Sequence, residues 1–321
     1  GGYSYSLEAE VMFPKKLSAE SPNYIYTNTI SSSLFGIRGV SDFNPGLNPA
    51  IDTQIPYIDS VNFQVYAIRD DIESSNAKFL LTSSAGLIAE TTSSLYQNVY
   101  NNNKWNFSVV TRPKPYSLSN YLPSGGVGNP GLPQRSFLSG SDYVVEFHGV
   151  NVDSGIVLNS FVVTASIDAP DVWSFVTGSK RVFVGANRQN VTGAIVHPSD
   201  VRISSCRFWL DKLEHEEVRA HAYDIENTGR LHPHFYAYPF NNSASYGDIL
   251  KKDTLLLDWE FSQNTGSDAA GGFTVADHSS GSNALAADTS RASWLGQLLG
   301  YKHPGSGSGF SAASTSSIDK E

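Results

Sequence analysis

The sequence predicts an all-β sandwich of the jelly-roll type. Three observations carry that reading: apolar and polar residues alternate with period two, turn residues separate the alternating runs, and helical periodicity is scarce. Leu7, Ala9, Val11 and Phe13 alternate with Ser6, Glu8 and Glu10, the pattern of a half-buried strand whose second face meets solvent. Val61, Phe63, Val65 and Ala67 repeat it, as do Trp105, Phe107 and Val109, and again Phe161, Val163, Ala165 and Ile167. Further β-rich runs are Lys78–Leu81, Tyr143–Val150, Ile156–Val163, Arg181–Gly185 and Val201–Leu210. Asp153-Ser154-Gly155 between two of these runs predicts a hairpin turn.

Two stretches read as helical. Lys212–Asp224 places Leu213, Val218 and Ala222 near one face and charges elsewhere, as in a solvated amphipathic helix. Leu285–Leu299 is a weaker second case. Two stretches read as long irregular loops, residues 31–56 and 112–140, the second carrying five prolines between 113 and 133. Leu255–Phe261 and Gly272–Asp277 read as strands, and Gly305–Glu321 as a flexible Gly/Ser-rich tail.

Composition narrows the function. The 321 residues allow one large β domain, or one domain with part of another, and 40% apolar content suffices for a core. The formal net charge of -9, from 22 basic and 31 acidic residues, disfavours a phosphate backbone as ligand. The densest basic spots are only Lys15-Lys16 and Lys251-Lys252. A single Cys206 excludes an intrachain disulfide and a multi-thiolate zinc site. No apolar run approaches the roughly 20 residues of a membrane helix. The chain starts at Gly1, has Met12 as its only methionine and opens with no recognisable leader; the expectation is a piece of a longer polypeptide. Sequons stand at Asn106, Asn190 and Asn241, about as many as chance supplies in a chain this rich in Asn, Ser and Thr.

No individual motif meets the requirements of a catalytic site. His215-Glu216 invites a zinc-protease reading, but the second histidine must follow four residues on; His221 is six on, so the spacing fails. Asp153-Ser154-Gly155 resembles one half of an aspartic-protease pair, and no second copy occurs. His232-Pro233-His234 offers two imidazoles without an identifiable third ligand. Gly305–Gly309 does not fit a nucleophile elbow in register. Glu8 and Glu10 share one strand face with Cα atoms about 6.8 Å apart, within range of a glycosidase pair. Like charges so spaced are equally ordinary on a solvent face. Phosphate-binding glycine loops and EF-hand spacing are absent, while a calcium site made of loop carboxylates and carbonyls leaves little trace in sequence.

One run is more specific. Lys180–Asn187 leads into Asn190–Ile195, then Ser204-Ser205-Cys206-Arg207-Phe208-Trp209, then Leu213-Glu214-His215-Glu216-Glu217-Val218-Arg219-Ala220-His221. This resembles the late part of a laminin-G-like, concanavalin-A-like jelly roll, with Tyr5–Phe13, Trp105–Arg112 and Tyr143–Ile167 similar to its earlier strands. The resemblance covers about residues 5–225. It implies a sandwich with one short capping helix, Gly185 and Gly193 in tight turns, and Phe208 or Trp209 buried against the opposite sheet. It also implies a domain over 1–250, with 251–321 as the start of a second such unit. The strand at 254–261 is then expected to fill or neighbour an otherwise unpaired edge of the first sheet.

The absence of a cysteine pair departs from animal laminin-G modules. The overall texture resembles the laminin-G-like units in structural proteins of tailed bacteriophages. That resemblance implies a non-enzymatic structural or adhesive component of a phage particle, or alternatively an extracellular module. The implied partners are other virion subunits, further copies of the chain and a cell-surface glycan, with no nucleic acid and no membrane insertion. No cofactor is expected apart from the calcium option. Ligand-contact candidates are Tyr116, Tyr121 and Arg135 in the long loop and Asn101, Asn102 and Asn103 in the turn before Trp105, because sugars stack on aromatics and hydrogen-bond to amides. A polysaccharide hydrolase or lyase on the same sandwich is the competing reading, and Glu8-Ala9-Glu10 is its nearest approach to a glucanase signature. A pure assembly block is the third.

Overall fold

The computed structural model describes residues 4–15, 29–40, 61–83, 88–113, 143–167, 179–188, 195–197, 199–224, 255–261, 273–276 and 315–318. Their strands are β1 (Tyr5–Phe13), β2 (Ser31–Val40), β3 (Val61–Arg69), β4 (Ala77–Thr82), β5 (Thr91–Thr92), β6 (Asn103–Pro113), β7 (Tyr143–Asp153) and β8 (Ile156–Ser166). There follow β9 (Ser179–Val184), β10 (Asn187–Arg188), β11 (Ile195–His197), β12 (Arg202–Trp209), β13 (Leu255–Glu260), β14 (Phe273–Ala276) and β15 (Thr315–Ile318). The one helix among the described residues, α1 (His215–Tyr223), lies between β12 and β13.

Two antiparallel sheets form the sandwich. One has the order β13-β12-β1-β6-β7-β8 and the other β5-β4-β3-β2-β9. Their inner faces bury Leu7, Val11, Phe13, Phe107 and Phe147 from the first sheet against Phe35, Phe63, Val65, Phe79 and Leu81 from the second. Aromatic rings dominate the centre: Phe79 lies 4.6 Å from Phe107 and 4.8 Å from Trp105, centroid to centroid. Period-two side chains on both sheets generate this core, as aligned sandwich packing requires. The fold is an all-β sandwich of two antiparallel sheets with a single short helix among its described residues.

Several expectations are corrected. Ser31–Val40 is not loop but strand β2, paired to both β3 and β9. Its serines and glycines read as irregular, yet Leu34, Phe35 and Ile37 are fully buried, and a register shift between Ser33 and Phe35 accommodates the broken alternation. Residues 41–60 lie outside the described residues. In the second long loop, Arg112 and Pro113 still belong to β6, and 114–142 lie outside the described residues. Thr315–Ile318, read as flexible tail, pairs antiparallel with β14. The helix expected over Lys212–Asp224 is shorter, His215–Tyr223, and the one expected over 285–299 lies outside the described residues.

Two details match local sequence chemistry. Ser154 and Gly155 connect β7 to β8 with φ of 50° and 76°, the doubly left-handed conformation of a type I′ hairpin turn. Strand β13 pairs antiparallel with β12, so Leu255–Glu260 occupies the edge beside β12.

Gly36 leaves no room for a side chain within the second sheet. A Cβ placed there would stand 2.5 Å from the Phe63 carbonyl oxygen, a backbone atom that the β2–β3 ladder holds in place. Gly36→Ala is expected to lower stability by about 1–3 kcal/mol through overpacking, read as a lower urea midpoint at unchanged slope. An unchanged midpoint would mean that β2 and β3 do not pack this closely.

Candidate functional site

The outer face of the six-stranded sheet does not meet water along its middle. Helix α1 lies across β6 and β7. Val110, Val150, Trp209, Leu213, Val218, Ala222 and Leu255 form a second apolar cluster between helix and sheet. Phe208 faces the inter-sheet core, while Trp209 points the other way, under the helix. The helix starts with the Glu214 N–H donating to Glu217 Oε2 at 2.7 Å, one arm of a capping box.

Beneath the helix runs a row of polar groups. Glu8 is only 2% exposed, so its solvent-face reading is overturned. His221 Nδ1 donates to both Glu8 oxygens at 2.9 Å, and Trp209 Nε1 donates to Oε2 at 3.2 Å. Asn106 Nδ2 donates to Glu8 Oε1 at 2.6 Å and lies 3.2 Å from the Val218 carbonyl. Burial alone would raise the Glu8 carboxyl; His221, with help from Arg207 and Asn106, outweighs it and holds it below the ordinary carboxylate range. The sequon at Asn106 is buried in this network and so is no acceptor in the folded chain. Asn190 and Asn241 lie outside the described residues.

Glu10 is likewise buried. It accepts from Ser204 Oγ at 2.6 Å and faces Lys104 Nζ at 3.0 Å. The two carboxylates therefore share a strand face, as expected, but a helix and salt partners close them off.

Farther along the helix, His215 and His148 bring their Nδ1 atoms to 3.2 Å with rings stacked. His148 Nε2 stands 3.6 Å from Glu146, an ion-pair rather than a hydrogen-bond distance. Arg112 forks onto the same carboxylate through Nε and a terminal nitrogen. His148 first, then Arg112, hold the Glu146 carboxyl down to about 2. Burial and the neighbouring His148 lower the pKa of His215.

A cleft of about 270 Å³ opens at the C-terminal end of α1. One wall is the Asn102–Lys104 turn, another the Val152–Gly155 hairpin, and the third Ala222 and Tyr223. The β1–β6 and β6–β7 registers, Phe13 opposite Asn103 and Trp105 opposite Asn151, place both turns at the same end of the sheet. Ala222 is buried, and the next helical residue, one-third of a turn around, leaves Tyr223 47% exposed. Lys104 lies between the cleft and Glu10, its charge matched by that buried carboxylate.

The structure brings Asn102 and Asn103 together in the cleft, and Asn101 lies beside them, exposed, outside its lining. Asn102 has φ of 62°, and its Oδ1 accepts from the Lys15 N–H at 2.9 Å. Asn103 Nδ2 donates to the Asn98 carbonyl at 2.6 Å. Each amide thus spends one end on holding the turn. Among the described residues, Asn102 Nδ2 and Asn103 Oδ1 have no hydrogen-bond partner. Tyr116, Tyr121 and Arg135 lie outside the described residues. Sequence reasoning missed Lys104, Asp153 and Tyr223 as neighbours. The sequence marks Asp153 only as a turn residue, and no local signal links Tyr223 to a hairpin 70 positions earlier. Among the described residues no group of three or more His, Cys, Asp or Glu is placed to hold a metal. Cys206 is buried and its thiol is pushed up by that burial, so it is inert as a nucleophile.

No family model and no curated protein matches the chain. Among solved structures, the enzymatically active domain of tailspike protein 2 of bacteriophage CBA120 is similar over 69% of this chain and 24% of its own, at 9% identity and a TM-score of 0.36. A heptameric SAP-like pentraxin from Limulus polyphemus is similar over 69% and 70%, at 9% identity and 0.32. The LG1-3 region of the laminin alpha2 chain is similar over 66% and 29%, at 7% identity and 0.34. This chain thus spans about a quarter of the tailspike chain, and likeness at this level says nothing about the chemistry of the cleft.

The histidine pair has a pH consequence. The folded state favours neutral His215, because its pKa lies below the ordinary value of about 6.5. This contribution to stability is complete above that pH and declines as pH falls through and below it. Doubly protonated rings would also face two N–H groups at each other across 3.2 Å, with Arg219 adding positive charge and Glu216 opposing it. The urea midpoint is expected to fall more steeply between pH 7 and 5 in the parent than in His215→Gln. Parallel curves would remove the pair as the cause.

Proposed function

We propose that this chain is a non-enzymatic carbohydrate-binding module, and that it serves as an adhesive or structural component of a tailed-bacteriophage particle. The observation that carries the binding reading is the cleft at the end of α1. An exposed phenol ring at Tyr223 stands with the Asp153 carboxylate, the Ser154 hydroxyl and the amides of Asn102 and Asn103 around one polar hollow. A pyranose presents the complementary surfaces, an apolar face for the ring and hydroxyls for the amides and carboxylate. Lys104 faces Glu10, which leaves the Asp153 carboxylate to set the sign of the hollow, so it suits a neutral sugar better than an anionic one. The placement on a phage particle rests on the sequence resemblance described above.

The enzymatic alternative needs two carboxylates that a glycoside can reach. Glu8 and Glu10 are 2% and 5% exposed and are committed to His221, Trp209, Asn106, Ser204 and Lys104. Their arrangement supports a structural role.

The test is binding of the purified chain to a broad glycan array, with calcium and with chelator. Selective, saturable binding is expected. Tyr223→Ala should weaken it by about tenfold, the loss of one aromatic contact of ~1.5 kcal/mol. Asp153→Asn, which keeps the turn chemistry, should weaken it less. Loss of binding with chelator would assign a calcium ion to the interaction. No binding in either condition, or full binding by Tyr223→Ala, would overturn this cleft as a glycan site.

A further inference from the structure

Strand β8 is the outermost of its sheet and pairs with β7 alone among the described strands. Exposed sheet edges are usually guarded by lysine, proline or shortness. None of these protects β8. Its eleven residues, Ile-Val-Leu-Asn-Ser-Phe-Val-Val-Thr-Ala-Ser, contain no charge and no proline. Leu158 is 53% exposed and Val162 44%, and Ser160 and Thr164 are exposed as well.

Only part of this edge is regular. At one end Asn151 opposes Asn159 while Val152 opposes Val157, so Leu158 is an extra, bulged residue. At the other end the Ala89 N–H donates to the Ser166 carbonyl at 3.0 Å, and Ile88 bridges Ile167. A straight seven-residue edge, 159–165, lies between a bulge and a cover.

We propose that this edge pairs with the same edge of a second copy of the chain, antiparallel about a two-fold axis through Val162. The sequence is self-complementary in that register. Val162 meets Val162, Phe161 meets Val163, Ser160 meets Thr164 and Asn159 meets Ala165. Every outward pair is then apolar on apolar or hydroxyl on hydroxyl, the favoured cross-strand combinations. The inner pairs extend the core, because Phe161 and Val163 already pack against it from the edge. Charge selects the same occupant. A chain of net charge -9 repels its copy, and an uncharged edge is where two copies approach at least cost. Seven residues bury less than a standard interface, so the dimer is weak and its population follows concentration.

Sedimentation equilibrium and cysteine trapping test this together. The parent should show a reversible monomer–dimer equilibrium, and Val162→Lys should raise its dissociation constant at least tenfold. Lysine is tolerated at an exposed edge, and an unchanged melting curve confirms that the variant folds. Val162→Cys puts thiols on the axis, where paired Cα atoms about 4.5–5.5 Å apart fall within disulfide range. The one natural thiol, Cys206, is buried. Mild oxidation should therefore convert Val162→Cys to a covalent dimer and leave Ile72→Cys, an exposed site off the edge, monomeric. A parent that stays monomeric at about 100 μM, a lysine variant that associates equally well, or equal cross-linking of both cysteine variants would each overturn the proposal.

Discussion

A carboxylate buried between a sheet and a helix organises the outer half of this molecule. Glu8 lies in the middle of β1, and its two oxygens receive His221 from the helix, Trp209 from β12 and Asn106 from β6. Taking an ion out of water costs several kcal/mol unless its lone pairs are matched. Here they are matched from three separate elements, so the charge is tolerable only when all three are in place. The helix is thereby fixed in rotation and position as well as in contact. Asn106 adds a tie from sheet to helix backbone by facing the Val218 carbonyl. The apolar cluster around Trp209, Val150 and Ala222 contributes area, while the Glu8 network supplies geometry.

That geometry reaches the cleft. His221 and Tyr223 are two residues apart at the helix end. Once His221 is anchored on Glu8, Tyr223 comes to the hairpin at Asp153–Gly155 and the turn at Asn102–Lys104. Glu10, two residues along β1, faces Lys104 in the same cleft wall. The alternating face of one strand thus supports both the helix and the polar hollow. A rigid sheet carrying short loops is a common way to hold recognition groups in place.

Much of the sandwich is legible in the sequence, for a physical reason. A core-facing strand must alternate, and β1, β3, β6 and the later half of β8 do so plainly. The hairpin at Ser154-Gly155 is legible because few sequences adopt two consecutive left-handed residues. Strand β2 is hidden, because its serines and Gly36 serve close backbone packing and a register shift instead of alternation. The third layer is hidden as well. A Glu on the polar face of a strand looks solvated whether water or a helix covers it, and the covering His221 lies 213 positions away. Asn102 and Asn103 could be picked out as turn amides. Their companions Lys104, Asp153 and Tyr223 come together only through long-range register and helix docking, which leave no mark at any one position.

Amide hydrogen exchange over residues 215–223, compared between the parent chain and Glu8→Gln, tests this dependence most directly. The account predicts protected helix amides in the parent and a large loss of protection across the helix in the variant, with β3, β4 and β7 keeping theirs. Helix amides that exchange equally in both proteins would contradict it, because the helix would then be held by its apolar contacts without the buried charge.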